Sequence, residues 1–188
     1  MSSMRSKIIV ALIIVLVATV LAVVARDTEA PVKPGVLALT NLPDRYCPST
    51  AKVVVTKPDM NDSKIILDSE VAISECRQIE LKKISTLEGI SLYYYVKLPK
   101  ALAFRLRVDS NDGRYQYAPS LGDVNNDNII DAVDEQLVTA ALLTTDPDQI
   151  AALDLDQDNK ITVLDLSLTR IDSRIGEIRP DKQNWSQL

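Results

Sequence analysis

Histidine is missing from all 188 residues of this chain. Its absence excludes imidazole general bases, Ser-His-Asp triads and zinc sites that need His ligands. Two cysteines are too few for a four-cysteine metal site or a disulfide-rich scaffold. Aromatic residues make up only 4%, yet 46% of the chain is hydrophobic and 25% charged, an ordinary globular composition. The charge is unevenly placed. Between Leu121 and Gly176 there are 12 acidic residues against 3 basic ones, a net −9 in a chain whose total is −5. So dense a patch repels itself unless cations occupy it. Nucleic acid is not expected as a partner of a chain this acidic.

The apolar residues are also unevenly spread. Ile8 to Ala25 is an 18-residue run with no charge and one polar side chain, Thr19. As a helix it would reach about 27 Å, close to the ~30 Å hydrocarbon core of a bilayer. Arg5 and Lys7 precede it, which places the N-terminus in the cytoplasm and everything after Arg26 outside. Val23 and Ala25 would also suit a signal-peptide cleavage site. The run exceeds the ~7–15 residues of a signal core, however, and favours an uncleaved anchor. The expected localisation is extracytoplasmic, membrane-anchored or secreted, with the membrane engaged through this helix. Export suits Cys47 and Cys76. Paired, they would close a loop of about 30 residues and add ~2–4 kcal/mol; two buried free thiols are the alternative.

Arg26 to Gly35, with Pro31 and Pro34, reads as a spacer. From Val36 to about Tyr117 the periodicity is two. Phe104, Leu106 and Val108 alternate with Arg105, Arg107 and Asp109; Ile79 and Leu81 alternate with Gln78, Glu80 and Lys82. Ile90, Leu92, Tyr94, Val96 and Leu98 share one face. Val36–Thr40, Lys52–Thr56 and Lys64–Ile73 are further strand candidates. Alternation buries one face of each strand, and turn signals such as Asn111-Asp112-Gly113 separate them, so a small antiparallel β-sandwich is expected.

The pattern changes at Leu121. Asp123, Asn125, Asp127, Ile129, Asp131 and Asp134 occupy positions 1, 3, 5, 7, 9 and 12 of a twelve-residue loop. The register recurs 31 residues later in Asp154, Asp156, Asp158, Lys160, Thr162 and Asp165. Calcium wants six to eight oxygens at about 2.3–2.6 Å, and this spacing supplies them. Three short side chains come from the first turn, a backbone carbonyl from position 7 (Ile129 or Lys160), then position 9 and a final carboxylate. Two calcium ions are expected. Isoleucine at position 8 of each loop, Ile130 and Ile161, would let the loops pair through a short backbone bridge.

The stretches Leu121-Gly-Asp-Val-Asn-Asn-Asp-Asn-Ile-Ile-Asp-Ala-Val-Asp134 and Leu153-Asp-Leu-Asp-Gln-Asp-Asn-Lys-Ile-Thr-Val-Leu-Asp-Leu166 resemble a type I dockerin domain. The resemblance covers about residues 120 to 175. It implies two loop–helix units that bind two calcium ions and dock onto a cohesin-like protein partner. Aspartate at position 12 matches the family in Asp134 and Asp165. Two departures stand out. Position 6, normally glycine, is Asn128 and Asn159; asparagine tolerates positive φ best among other residues, so only a modest loss of affinity is expected. Positions 10 and 11, often hydroxylated in the family, are Ala132-Val133 and Val163-Leu164. Such apolar pairs would suit a different partner or pack against the sandwich. Upstream, Leu92-Tyr-Tyr-Tyr-Val-Lys-Leu-Pro-Lys100 weakly resembles sandwich domains that precede dockerins in some bacterial surface proteins.

Helices are expected over Ala132 to Leu143, from Asp146-Pro147 to about Leu153, and over Leu164 to Ile175. The expected fold class is multidomain: a transmembrane helix (1–25), a linker (26–35), a small antiparallel β-sandwich (36–117), an all-α dockerin-like pair of calcium loop–helix units (118–176), and a tail (177–188). The first functional reading is a calcium-organised docking or adhesion module at the cell surface. The alternative is a carbohydrate-binding sandwich, in which the paired tyrosines Tyr93 and Tyr95, or Tyr115 and Tyr117, stack on sugars. Catalysis is not expected. The carboxylates Glu70, Glu75 and Glu80 have no acid–base spacing, and about 80 residues of sandwich leave little room for a cleft.

Overall fold

The computed structural model describes residues 35–57, 65–81, 91–109, 113–170 and 174–185. The apolar run at residues 8–25 and the spacer up to Pro34 lie outside them. Among the described residues no helix is long and apolar enough to cross a membrane.

Seven strands form in the first half: β1 (Val36–Leu39), β2 (Thr50–Thr56), β3 (Ile65–Ser74), β4 (Gln78–Glu80), β5 (Leu92–Lys97), β6 (Phe104–Val108) and β7 (Arg114–Tyr117). They make one sheet in the order β6-β5-β2-β3-β4-β1-β7. β3 is long enough to serve both ends of it. Its residues from Ile65 to Ala72 pair with β2, and Ile73 and Ser74 pair with β4. The sheet curls until its two edge strands meet, where Phe104 of β6 stacks on Tyr117 of β7 with ring centroids 3.9 Å apart. Inside the curl lie Leu37, Val53, Val55, Ile79, Tyr94, Val96 and Leu98, all nearly inaccessible. Cys47 and Cys76 are joined as a disulfide, tying the approach to β2 to the β3–β4 turn.

The expected fold class is corrected on two counts. The strands belong to a single curled sheet rather than two stacked ones, and β1 runs parallel to β7, so the sheet is not purely antiparallel. The calcium-loop half is not all-α. It holds three short helices, α1 (Ala132–Ala140), α2 (Pro147–Leu153) and α3 (Val163–Thr169), and a ribbon of β8 (Ile129–Ile130) with β9 (Arg174–Ile175). The expected transmembrane helix (1–25) lies outside the described residues, which hold more strand than helix.

Each helix starts where its capping chemistry lies. Asp131 and Asp134 form a reciprocal capping box on α1, Thr162 and Asp165 do the same on α3, and Asp146 precedes Pro147 at the head of α2. The third helix stops six residues short of the expected Ile175, because the chain there becomes extended to pair with loop one. The Gly176 N–H donates to the Asn128 carbonyl at 2.9 Å. A side chain at Gly176 would collide with the Asn128 carboxamide, 2.3 Å from where a Cβ would sit. This pairing also replaces the expected bridge between the loops. Ile130 pairs with Arg174, while the Ile161 carbonyl accepts from the Leu143 N–H at 3.0 Å. The helices pack through Val138, Ala141, Ile161 and Leu166.

Residues 34–188 form one compact unit. After β9 the chain returns to the sheet. Trp185, 3% exposed, covers Val54, Tyr95 and Ala103 on the outer face of β2 and β5. Arg179 is buried beside it, bound to Asp68 of β3 at 2.8 Å and to Asp181 at 2.7 Å, with its guanidinium 5.6 Å from the Trp185 ring. That is why β2 carries three consecutive valines: Val53 and Val55 face the curl, Val54 faces the tail.

Candidate metal centre

The two acidic loops organise themselves by the same hydrogen bonds. In loop one the Asp134 carboxylate accepts from the N–H groups of Val124 (2.9 Å), Asn125 (3.3 Å) and Asp131 (3.0 Å). In loop two Asp165 accepts from Leu155 (2.7 Å), Asp156 (3.2 Å) and Thr162 (2.8 Å). Position 12 therefore folds back over positions 2, 3 and 9 in both. Position 1 accepts the N–H of position 6: Asn128 to Asp123 at 3.0 Å and Asn159 to Asp154 at 2.8 Å. Position 5 accepts that of position 7: Ile129 to Asp127 at 2.8 Å and Lys160 to Asp158 at 2.9 Å. The backbone turns through positive φ at positions 4 and 6 of each loop, at Asn126 (61°) and Asn128 (69°), and at Gln157 (59°) and Asn159 (68°). All twelve positions named from the spacing lie in these two loops.

Both loops fit a hard divalent cation. The donors are all oxygens, as calcium requires. In loop two one oxygen each of Asp154, Asp156 and Asp158 lie within 4.8 Å of one another. Burial, followed by the nearby Asp165 charge, pushes the Asp156 carboxyl above its ordinary range, the strain a bound cation would relieve. In loop one Asp123 is fully buried, and its Oδ1 has no hydrogen-bond partner. A buried carboxylate oxygen left bare is costly unless something positive meets it. The loop-one first turn offers two carboxylates and an amide, because position 3 is Asn125 rather than aspartate.

Three residues outside the expected ligand set join these loops to the sheet. Lys97, at the end of β5 and 4% exposed, ion-pairs with Oδ2 of Asp123 and donates to the Ala101 carbonyl. Burial pushes the Lys97 amine down and the Asp123 carboxyl up, while each charge opposes the other's shift. Lys100, three residues on, donates to the carbonyls of Ala151 and Asp154, both at 2.8 Å, and so caps the C-terminal end of α2. Asn128 accepts the Ala103 N–H at 2.7 Å and donates to the Glu177 carbonyl at 3.2 Å. The signal for Asn128 was visible as a departure from glycine. Neither lysine had one, since a lysine at a strand end or in a turn ordinarily points to water.

The apolar pairs at positions 10 and 11 do not pack on the sheet. Val133 is 48% exposed, Val163 70% and Leu164 58%; Leu137, one turn along α1, is 40%. The tyrosines behave otherwise. Tyr95 is buried under Trp185, Tyr93 lies beneath the Arg105 guanidinium at 5.2 Å, and Tyr115 and Tyr117 pack against the core. Neither pair stands clear as a platform for a sugar ring.

The geometry coincides with what comparison with known proteins finds. Residues 121–170 match the family model of the dockerin type I domain. Two solved structures are similar to this chain. One is a C-terminal interface mutant of a type II cohesin–X–dockerin complex from Acetivibrio cellulolyticus. It is 15% identical, covers 71% of this chain and 90% of that one, and has a TM-score of 0.48. The other is an N-terminal interface mutant of the same complex at 14% identity, 72% and 90% coverage, and a TM-score of 0.48. No curated protein matches the chain. The segment that follows the sheet thus matches the dockerin type I domain over about a quarter of the chain, a family that typically binds calcium.

Proposed function

We propose that this chain is a calcium-organised docking protein, non-catalytic, acting outside the cytoplasm and binding a cohesin-like partner. The observation that carries this is the surface made by Val133, Leu137, Val163 and Leu164. Four sizeable apolar side chains stand exposed on α1 and α3, three of them at the helix starts that the two loops shape and Leu137 one turn further on. Scattered exposed hydrophobics need no explanation, but Val133 and Leu164 stand exposed at the same position, 11, of the two loops, with Val163 beside Leu164 and Leu137 one turn beyond Val133. Two calcium ions would be held by Asp123, Asn125, Asp127, the Ile129 carbonyl, Asp131 and Asp134, and by Asp154, Asp156, Asp158, the Lys160 carbonyl, Thr162 and Asp165. Calcium supplies charge neutralisation and fixes the orientation of α1 and α3. The Cys47–Cys76 disulfide supports an oxidising compartment.

The test is calorimetric titration of the chain with a panel of cohesin domains, in calcium and in chelator. One cohesin should bind in calcium only. Replacing Val163 and Leu164 together by aspartate should weaken it at least a hundredfold while leaving calcium uptake intact. Binding indifferent to the double substitution or to chelation would refute the docking surface, and silence across the panel would remove the cohesin-like identity.

A further inference from the structure

The two loops share their internal hydrogen bonds but not their surroundings. Two lysines from the corner after β5 reach them, one apiece. Lys100 hydrogen-bonds loop two at the Asp154 carbonyl, its charge acting on the Asp154 and Asp165 carboxylates without pairing with either, and the Asp154 carboxylate stays with Asp156 and Asp158. Lys97 touches loop one through the carboxylate itself, at the oxygen of Asp123 that also accepts the Asn128 N–H. Its ammonium is almost inaccessible and is further fixed by the Ala101 carbonyl. The other Asp123 oxygen is bare and buried. Asp123 is thus gripped at one oxygen and unpaired at the other.

We propose that the Lys97 ammonium is a resident cation of loop one: it holds Asp123 and the first turn in place without calcium, so the demand for calcium falls on loop two. The argument is electrostatic. A loop of four carboxylates needs positive charge to keep its shape, and in loop one a covalently tethered charge supplies part of it. The same charge stands close to where a calcium ion would meet the bare oxygen, so it also weakens that ion's binding. In loop two no cation among the described residues ion-pairs with the carboxylate of position 1, and the Lys100 charge acts on it only from further off. Loop one becomes the joint between sheet and docking half, and loop two the part that responds to calcium. This rests on the reading that both loops are calcium sites.

Hydrogen–deuterium exchange of the full chain in chelator should show the Val124 and Asn128 amides at least tenfold slower than their counterparts Leu155 and Asn159. Lys97→Met should abolish that difference without calcium. In an Asp158→Ala background, which disables loop two, Lys97→Met should tighten calcium binding to loop one at least tenfold. Lys97→Gln, which keeps a donor for Asp123 but drops the charge, should act in the same direction if the methionine variant folds poorly. Equal exchange in the two loops of the unsubstituted chain, or loop-one affinity within threefold after charge removal, would overturn the proposal. Absence of any calcium heat from the unsubstituted chain would instead overturn the metal reading, and the exchange contrast would be judged separately.

Discussion

Replacing each position-6 asparagine by glycine separates a local from a tertiary role. The backbone needs are equal, with φ of 69° at Asn128 and 68° at Asn159. Glycine removes the left-handed penalty but loses more chain entropy on folding, and the two effects nearly cancel at ~0.5–1 kcal/mol each. Asn159→Gly should therefore change stability by no more than ~0.5 kcal/mol, because the Asn159 side chain is exposed. Asn128 is 7% exposed, and its carboxamide is what the Ala103 N–H bonds to. Removing it leaves that buried N–H unpaired, at a cost of ~1–3 kcal/mol. The Glu177 carbonyl still accepts from the Trp185 indole at 3.0 Å, so its loss adds little. Asn128→Gly should cost about 2 kcal/mol, a drop in Tm of roughly 4–8 °C for a unit of this size. Urea and thermal unfolding of both variants in saturating calcium would measure it. If the two substitutions agree within ~0.5 kcal/mol, the clamp between loop one and the sheet has no energetic content.

Three further outcomes follow from the same contacts. Trp185→Ala should cost ~3–5 kcal/mol by denaturant midpoint, since it empties a covered site over Val54, Tyr95 and Ala103; a loss below ~1 kcal/mol would mean the tail is not seated. Asp181 is held down to about 2, mainly by its hydrogen bonds with Arg179. A depressed carboxylate stabilises above its unfolded value and loses that contribution as pH falls, so the tail should loosen between about pH 4 and pH 2. Emission of the single tryptophan should shift to the red across that window, and an unshifted spectrum at pH 2 would contradict the pairing. Reducing the Cys47–Cys76 bond, which spans 29 residues, should lower stability by ~2–4 kcal/mol in a urea midpoint, and an unchanged midpoint would rule out a stabilising cross-link.

Much of the site was legible because its information is local. A twelve-residue loop states its ligands by spacing, and the capping boxes of α1 and α3 use those same residues. Strand alternation identified β6 without error, and the inward face of β5 was read correctly from Leu92, Tyr94, Val96 and Leu98. The tyrosines on the other face of β5 were harder. Their alternation says only that they point away from the curl, and whether water, sugar or the tail meets them depends on residues some ninety positions later.

The sequence alone placed the helix starts to within a residue and most strands to within two, the β8–β9 ribbon excepted, and showed which oxygens share each loop and that two cysteines stand ready to pair. These are matters of periodicity and short-range chemistry, set within a dozen neighbours. Tertiary structure alone decided that the sheet curls until β6 meets β7, and that α3 yields early to a ribbon. It also decided that Lys97 reaches Asp123 across 26 residues, Asn128 reaches Ala103 across 25, and Arg179 reaches Asp68 across 111. Such contacts exist only once the chain has closed on itself. A buried charge or amide finds its partner through the whole packing, and no local pattern records which one it will be.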